Sequence, residues 1–249
     1  MPGEEQTDIE INISDIYDRL QPAPIPTQKK EKKPEELNEL HDVVNENRIR
    51  NVCMEVSGDI DYSRFLIFKL HPVAAGLKAF KNDSVIYTDT PLMRAAILSK
   101  IQEENDKSLI EKPRGGFDSD ISAQKIILKA PEIFCASEHP KAEEIAKKHN
   151  ISKAMAGFMA LKNEIKKSIV VIGKDDSALL SVCRMAERGS LPYLVLGFPA
   201  GINTQMTSKE YLADISAELP LITMSQTKGG IEAAAACFVE LMKINEERL

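Results

Sequence analysis

Three consecutive units in the last third of the chain pass from an apolar strand, through a turn of small residues, into a helix. They are Ser168–Leu180 (SIVVIGKDDSALL), Leu191–Leu212 (LPYLVLGFPAGINTQMTSKEYL) and Leu219–Met242 (LPLITMSQTKGGIEAAAACFVELM). Strand–helix alternation of this kind builds a parallel sheet, because each helix carries the chain back to start the next strand in the same direction. An open parallel sheet takes its ligand outside the carboxyl ends of its strands. The turns Gly173–Ser177, Gly197–Asn203 and Gln226–Gly230 are therefore expected to line one shared site.

Upstream, Ser84–Thr88 (SVIYT) reads as a strand ending at Asp89, with a helix Pro91–Leu98 entered through proline. Glu132–Ala136 reads as a second strand, followed by helices His139–Lys148 and Ser152–Ile165. Asp59–Phe80 has apolar residues at mixed helical spacing, broken at Pro72. The expectation is a three-layer α/β/α, doubly wound, mainly parallel five-stranded sheet in flavodoxin-like order. A helix from Pro34, with Glu35 and Glu36 complementing its dipole, opens a single α/β domain over 34–249. Residues 1–33, with QPAPIP and the Lys29–Lys33 charge run, read as a flexible tail. Residues 101–124 are polar and contain Arg114-Gly115-Gly116, and read as an insertion.

Composition excludes several classes. The net charge is −6, tryptophan is absent and aromatics make up 5% of the chain, so no nucleic-acid footprint or base-stacking platform is expected. No apolar run approaches the ~20 residues of a membrane span and the N-terminus has no secretory pattern, so a cytoplasmic location is expected. The four cysteines are dispersed, with no C-x-x-C pair, and imply neither a zinc cage nor a disulfide framework. Cys135 and Cys237 read as buried small hydrophobes.

The turn sequences, taken in order, resemble the precorrin-8X methylmutase family of corrin biosynthesis. Ser152-Lys-Ala-Met-Ala-Gly157 is similar to the family's Thr-Arg-Ser-Ala-Ala-Gly, and Ile172-Gly-Lys-Asp-Asp-Ser-Ala-Leu179 to Ile-Gly-Asn-Ala-Pro-Thr-Ala-Leu. Gly197-Phe-Pro-Ala-Gly-Ile202, Thr207-Ser-Lys209 and Thr227-Lys-Gly-Gly-Ile231 resemble Gly-x-Pro-Val-Gly-Phe, Glu-Ser-Lys and Arg-Lys-Gly-Gly-Ser. Glu55-Val-Ser-Gly-Asp59 and Tyr87–Met93 match His-Ala-Thr-Gly-Asp and Asp-x-x-Met. The departures are concentrated where chemistry is expected. The family's histidine, held to be the acid or base, becomes Glu55; its arginines become Lys153 and Thr227; its Asn-Ala-Pro becomes Lys174-Asp175-Asp176.

The resemblance implies an isomerase that moves a methyl group between adjacent carbons of a carboxylate-rich tetrapyrrole, without metal or added cofactor, as a homodimer. It assigns Glu55 or His41 to the proton. The carboxylates fall to Lys153, Lys209 and Lys228, the hydroxyls of Ser208 and Thr227, and backbone N–H groups after Gly173, Gly201 and Gly230. Gly229-Gly230 exceeds what one turn requires, whereas Gly173 suits a tight turn as well as a site. Asp89 suits either the site or a cap on the helix at Pro91. A glutamate with an ordinary pKa is only about 0.2% protonated at pH 7, so matching a histidine would require raising Glu55 by about 2, or roughly 3 kcal/mol. Loss of the histidine leaves a second reading open, a non-catalytic tetrapyrrole carrier on the same fold. A third reading, a flavodoxin-like phosphate or nucleotide binder, is disfavoured because no Walker or G-x-G-x-x-G fingerprint follows any strand.

Overall fold

The computed structural model describes residues 34–110, 126–200, 218–225 and 227–248, with side chains from 42 onward except that of Ile110. The chain divides into Met1–Leu37 and Asn38–Leu249. The tail, the Arg114–Gly116 segment and the turn around Gly201 lie outside the described residues.

Six strands form one sheet. They are β1 (Leu66–Lys69), β2 (Ile86–Thr88), β3 (Ile133–Cys135), β4 (Ile169–Ile172), β5 (Leu194–Gly197) and β6 (Leu221–Met224). Their order is β1-β6-β5-β4-β2-β3. All neighbours are parallel except β1, which runs antiparallel to β6 with Leu66 opposite Met224. Apart from β1, the five parallel strands have the flavodoxin order. The expected count of five is corrected to six. The added strand, LIFK, lies inside the stretch read as mixed helical spacing, and its pairing with the distant β6 makes it a strand.

The helices are α1 (Pro34–Ser57), α2 (Pro72–Lys81), α3 (Pro91–Ile110), α4 (Ala142–His149), α5 (Lys153–Leu161), α6 (Asp176–Glu187) and α7 (Ile231–Glu246). Short 3-10 helices cover Ile60–Phe65, Ala136–Glu138 and Lys162–Ile165. β4, β5 and β6 are buried along their whole length, so their side chains alternate between two cores. Ile169 and Val171 join Met93, Ile97, Ala234 and Phe238 on the face covered by α1, α2, α3 and α7. Val170 and Ile172 join Phe158, Leu179 and Val182 on the face covered by α5 and α6. The alanines 233–236 let α7 lie close to the sheet. All four cysteines are free and buried.

α3 continues to Ile110, so the first part of the segment read as an insertion is helical. Its polar face is held by Lys100–Glu103 and Lys107–Glu104 pairs, and Asn105 exchanges two hydrogen bonds with the backbone of Leu128. Among the described residues, no helix is long and apolar enough to cross a membrane.

Candidate functional site at the carboxyl ends of the strands

The helix after β2 packs on one face of the sheet and the helix after β4 on the other, while β2 and β4 are neighbours. The two connections part at this point and leave a crevice outside the strand ends. Its volume is about 510 Å³, and its lining includes Thr90, Ser137, Lys153, Lys174, Asp175 and Asp176. Each helix start beside it carries its own cap. Thr90 Oγ1 accepts from Met93 N (3.2 Å), Ser152 Oγ from Met155 N (3.1 Å) and Asp175 Oδ1 from Ala178 N (2.9 Å).

Asp89 is wholly buried beneath this crevice. Its Oδ2 accepts from both Lys174 N and Asp175 N at 2.8 Å, and Thr90 Oγ1 lies 3.3 Å from its Oδ1. Burial raises its carboxyl above the usual aspartate range, against the opposing pull of those backbone donors. The cap of α3 is thus Thr90. Asp89 instead ties the end of β2 to the turn after β4, and the backbone donors that follow Gly173 are already engaged. Gly173 itself is required by packing: a Cβ there would lie 2.5 Å from Met93 Sδ and 2.9 Å from Ile231 Cα.

The turn before α7 is the second built feature. Gly229 (φ +147°) and Gly230 (φ +118°) hold backbone conformations that side chains disfavour. A Cβ on Gly229 would run into the carbonyl of Phe198, and Gly230 N donates to that same carbonyl at 2.5 Å. On the other side, the Tyr62 hydroxyl donates to Gly229 O at 2.8 Å. Burial pushes the Tyr62 phenol up to about 12. Lys228 pairs with Asp59, and its ammonium lies 5.5 Å from the ring centre of Phe65 and 6.0 Å from that of Tyr62. The hydrogen bond from Lys228 holds Asp59 below the usual carboxylate range. Gly230 begins α7 without a side-chain cap.

The structure therefore gathers Asp89, Lys153, Gly173, Thr227, Lys228, Gly229 and Gly230 at the carboxyl end of the sheet. Lys153 is more than half exposed on the crevice rim and pairs with Glu143 at 2.9 Å. Glu55 is exposed on α1, and the electrostatic partner the structure gives it is Lys107, on the far part of α3. That lysine is raised chiefly by its hydrogen bond to Glu104, with Glu55 a smaller contributor. His41 lies on α1 with its side chain outside the described residues, as are Gly201, Ser208 and Lys209. Among the described residues, no group of three or more His, Cys, Asp or Glu could hold a metal ion.

Sequence reasoning gave no role to Asp59 or Tyr62. Asp59 ends the motif that contains Glu55, which was a usable signal. Tyr62 had none, because its partner is 167 residues away.

A family model described as precorrin-8X methylmutase matches residues 34–114 and 119–244. The cobalt-precorrin-8 methylmutase of Methanocaldococcus jannaschii is 28% identical over 184 residues, spanning 74% of this chain and 72% of that protein. That of Priestia megaterium is 27% identical over 181 residues, 72% of this chain and 69% of that one. The solved precorrin-8X methylmutase of Thermus thermophilus superposes with a TM-score of 0.63 at 20% identity, covering 86% of this chain and 97% of that one. That last likeness is one of fold.

Proposed function

This chain belongs to the precorrin-8X methylmutase family, and from that premise we propose that it is a cytoplasmic, homodimeric isomerase that moves a ring methyl of a corrin precursor in cobalamin biosynthesis. The observation that carries the reading is the family match across both ends of the domain, joined to a crevice at the point where the β2 and β4 connections part. The crevice takes one edge of the macrocycle, since its 510 Å³ suits part of such a ring.

Lys153 releases Glu143 and binds a substrate carboxylate. Their pair is exposed and screened by solvent, so the exchange is cheap. Lys228 stays with Asp59, and the pair presents a fixed dipole beside the Gly229-Gly230 turn instead of a free cation. The uncapped start of α7 offers backbone N–H groups to a second carboxylate. Asp89 acts from below, holding the Lys174–Asp175 turn in place. The proton falls to Glu55 or His41 on α1. A ring lying across α1 covers the exposed Glu55 side chain and brings its carboxyl against the substrate. Ser208, Lys209 and Gly201 complete the carboxylate shell in this reading.

The exposure of Glu55 also favours a second reading, in which the chain binds the tetrapyrrole and returns it unchanged. Incubation of the purified protein with cobalt-precorrin-8, followed by visible spectroscopy, separates the two. A new spectrum that forms with turnover, is lost in Glu55→Gln and is faster in Glu55→His supports the isomerase. Binding with no conversion supports the carrier. Absence of binding overturns both.

A further inference from the structure

The opposite pole of the sheet carries a cavity of its own, about 420 Å³, where β4, β5 and β6 begin. Lys166 and Lys167 stand just before β4, Tyr193 just before β5 and Pro220 just before β6, with Lys78 from the last turn of α2 and Glu218 at the rim. The rim is built. Lys167 adopts a left-handed conformation (φ +60°) that lysine disfavours, held by its N–H donating to Leu191 O at 3.0 Å. Ser190 Oγ donates to Asn163 Oδ1 at 2.8 Å and ties the two connections together. Lys78 Nζ lies 5.4 Å above the centre of the half-buried Tyr193 ring. Among the described residues, Lys78, Lys166 and Lys167 have no ion-pair partner.

Three ammonium groups around one cavity, without a carboxylate partner among the described residues, favour a multiply charged ligand. Lysine meets phosphate as a compact point charge, and the several oxygens of a phosphate chain let one ligand engage all three ammonium groups. Tyr193, Leu191 and Pro220 add an apolar wall suited to a planar ring. Glu218 opposes a bare polyanion but accepts from hydroxyl groups, as a sugar would present. The volume is at the small end of ligand pockets and below that of the crevice at the other pole. We propose that this cavity is a nucleoside-phosphate site, with the base against Tyr193, the phosphates on Lys78, Lys166 and Lys167, and the sugar beside Glu218. It is separate from the tetrapyrrole site and stands whether or not that reading holds.

The test is calorimetric titration of the full chain with ADP and, separately, with inorganic pyrophosphate. ADP is expected to bind, and the double variant Lys166→Ala/Lys167→Ala to weaken it by about tenfold or more, by loss of two point charges. Tyr193→Leu is expected to weaken ADP and leave pyrophosphate unchanged. Lys153→Ala, at the other pole, leaves ADP binding unaltered. No heat with ADP up to about 1 mM overturns the proposal. So does pyrophosphate binding as tightly as ADP, or ADP binding that survives the double lysine variant.

Discussion

Removal of the buried Asp89 carboxylate has a cost that follows from its hydrogen bonds. One oxygen, Oδ2, receives two backbone N–H groups, from Lys174 and Asp175, each at 2.8 Å. In Asp89→Ala both donors lose their buried acceptor at the floor of the crevice, at about 1–3 kcal/mol each. The carboxylate is itself disfavoured by burial, which raises its pKa and offsets part of that loss. The expected net destabilisation is about 3 kcal/mol, or roughly 6–12 °C in Tm for a domain of this size. Asp89→Asn should behave quite differently. Its amide oxygen can occupy the Oδ2 position and accept both donors, while its NH2 faces Thr90 Oγ1, so the loss should stay within about 1 kcal/mol. Thermal and urea unfolding give the global figure. Amide exchange at Lys174 and Asp175 gives the local one, fast in the alanine variant and protected in the asparagine variant. If both variants lose the same stability, charge and not acceptor geometry is what matters, and the reasoning fails. An alanine variant as stable as the parent would refute it as well.

Two further outcomes concern packing and pH. Arg48→Ala leaves Glu240, nearly buried, with Lys243 at 3.5 Å as its one ion-pair partner among the described residues, and should cost about 2 kcal/mol, less than a fully buried pair because Arg48 is part exposed. Arg48 also holds the Glu247 carboxyl below its usual range. A depressed carboxylate contributes stability above its unfolded pKa and loses it as pH falls through the folded one, so parent and variant should converge in acid melts. Unfolding curves that stay equally separated from neutral pH into acid would contradict this. Gly157→Ala places a methyl on the carbonyl of Ala136, and overpacking should outweigh the helix preference of alanine by about 2 kcal/mol, measured by urea titration.

Local signals were legible in the sequence and distant ones were not. The parallel order follows from apolar runs punctuated by small-residue turns, and each such turn in the described residues sits at a strand's carboxyl end. β1 escaped because four residues with a terminal lysine carry little pattern, and its strand character comes from β6. The continuation of α3 escaped because QEENDKS is polar on all sides, and its helicity rests on i,i+3 pairs and on Leu128. Asp89 is legible as a carboxylate at a strand end, yet its partners lie 85 and 86 residues further on. The resemblance located the Gly229-Gly230 turn, but not the tyrosine that holds it.

The antiparallel edge has a temporal consequence. Phe65 O receives Ser225 N, 160 residues later in the chain, so β1 has nothing to pair with until nearly all of the protein has been made. At cellular rates of synthesis that wait is roughly 10–30 s. Throughout it, the Tyr62–Gly229 and Asp59–Lys228 contacts cannot form, and the last strand to emerge from the ribosome is the one that secures the first.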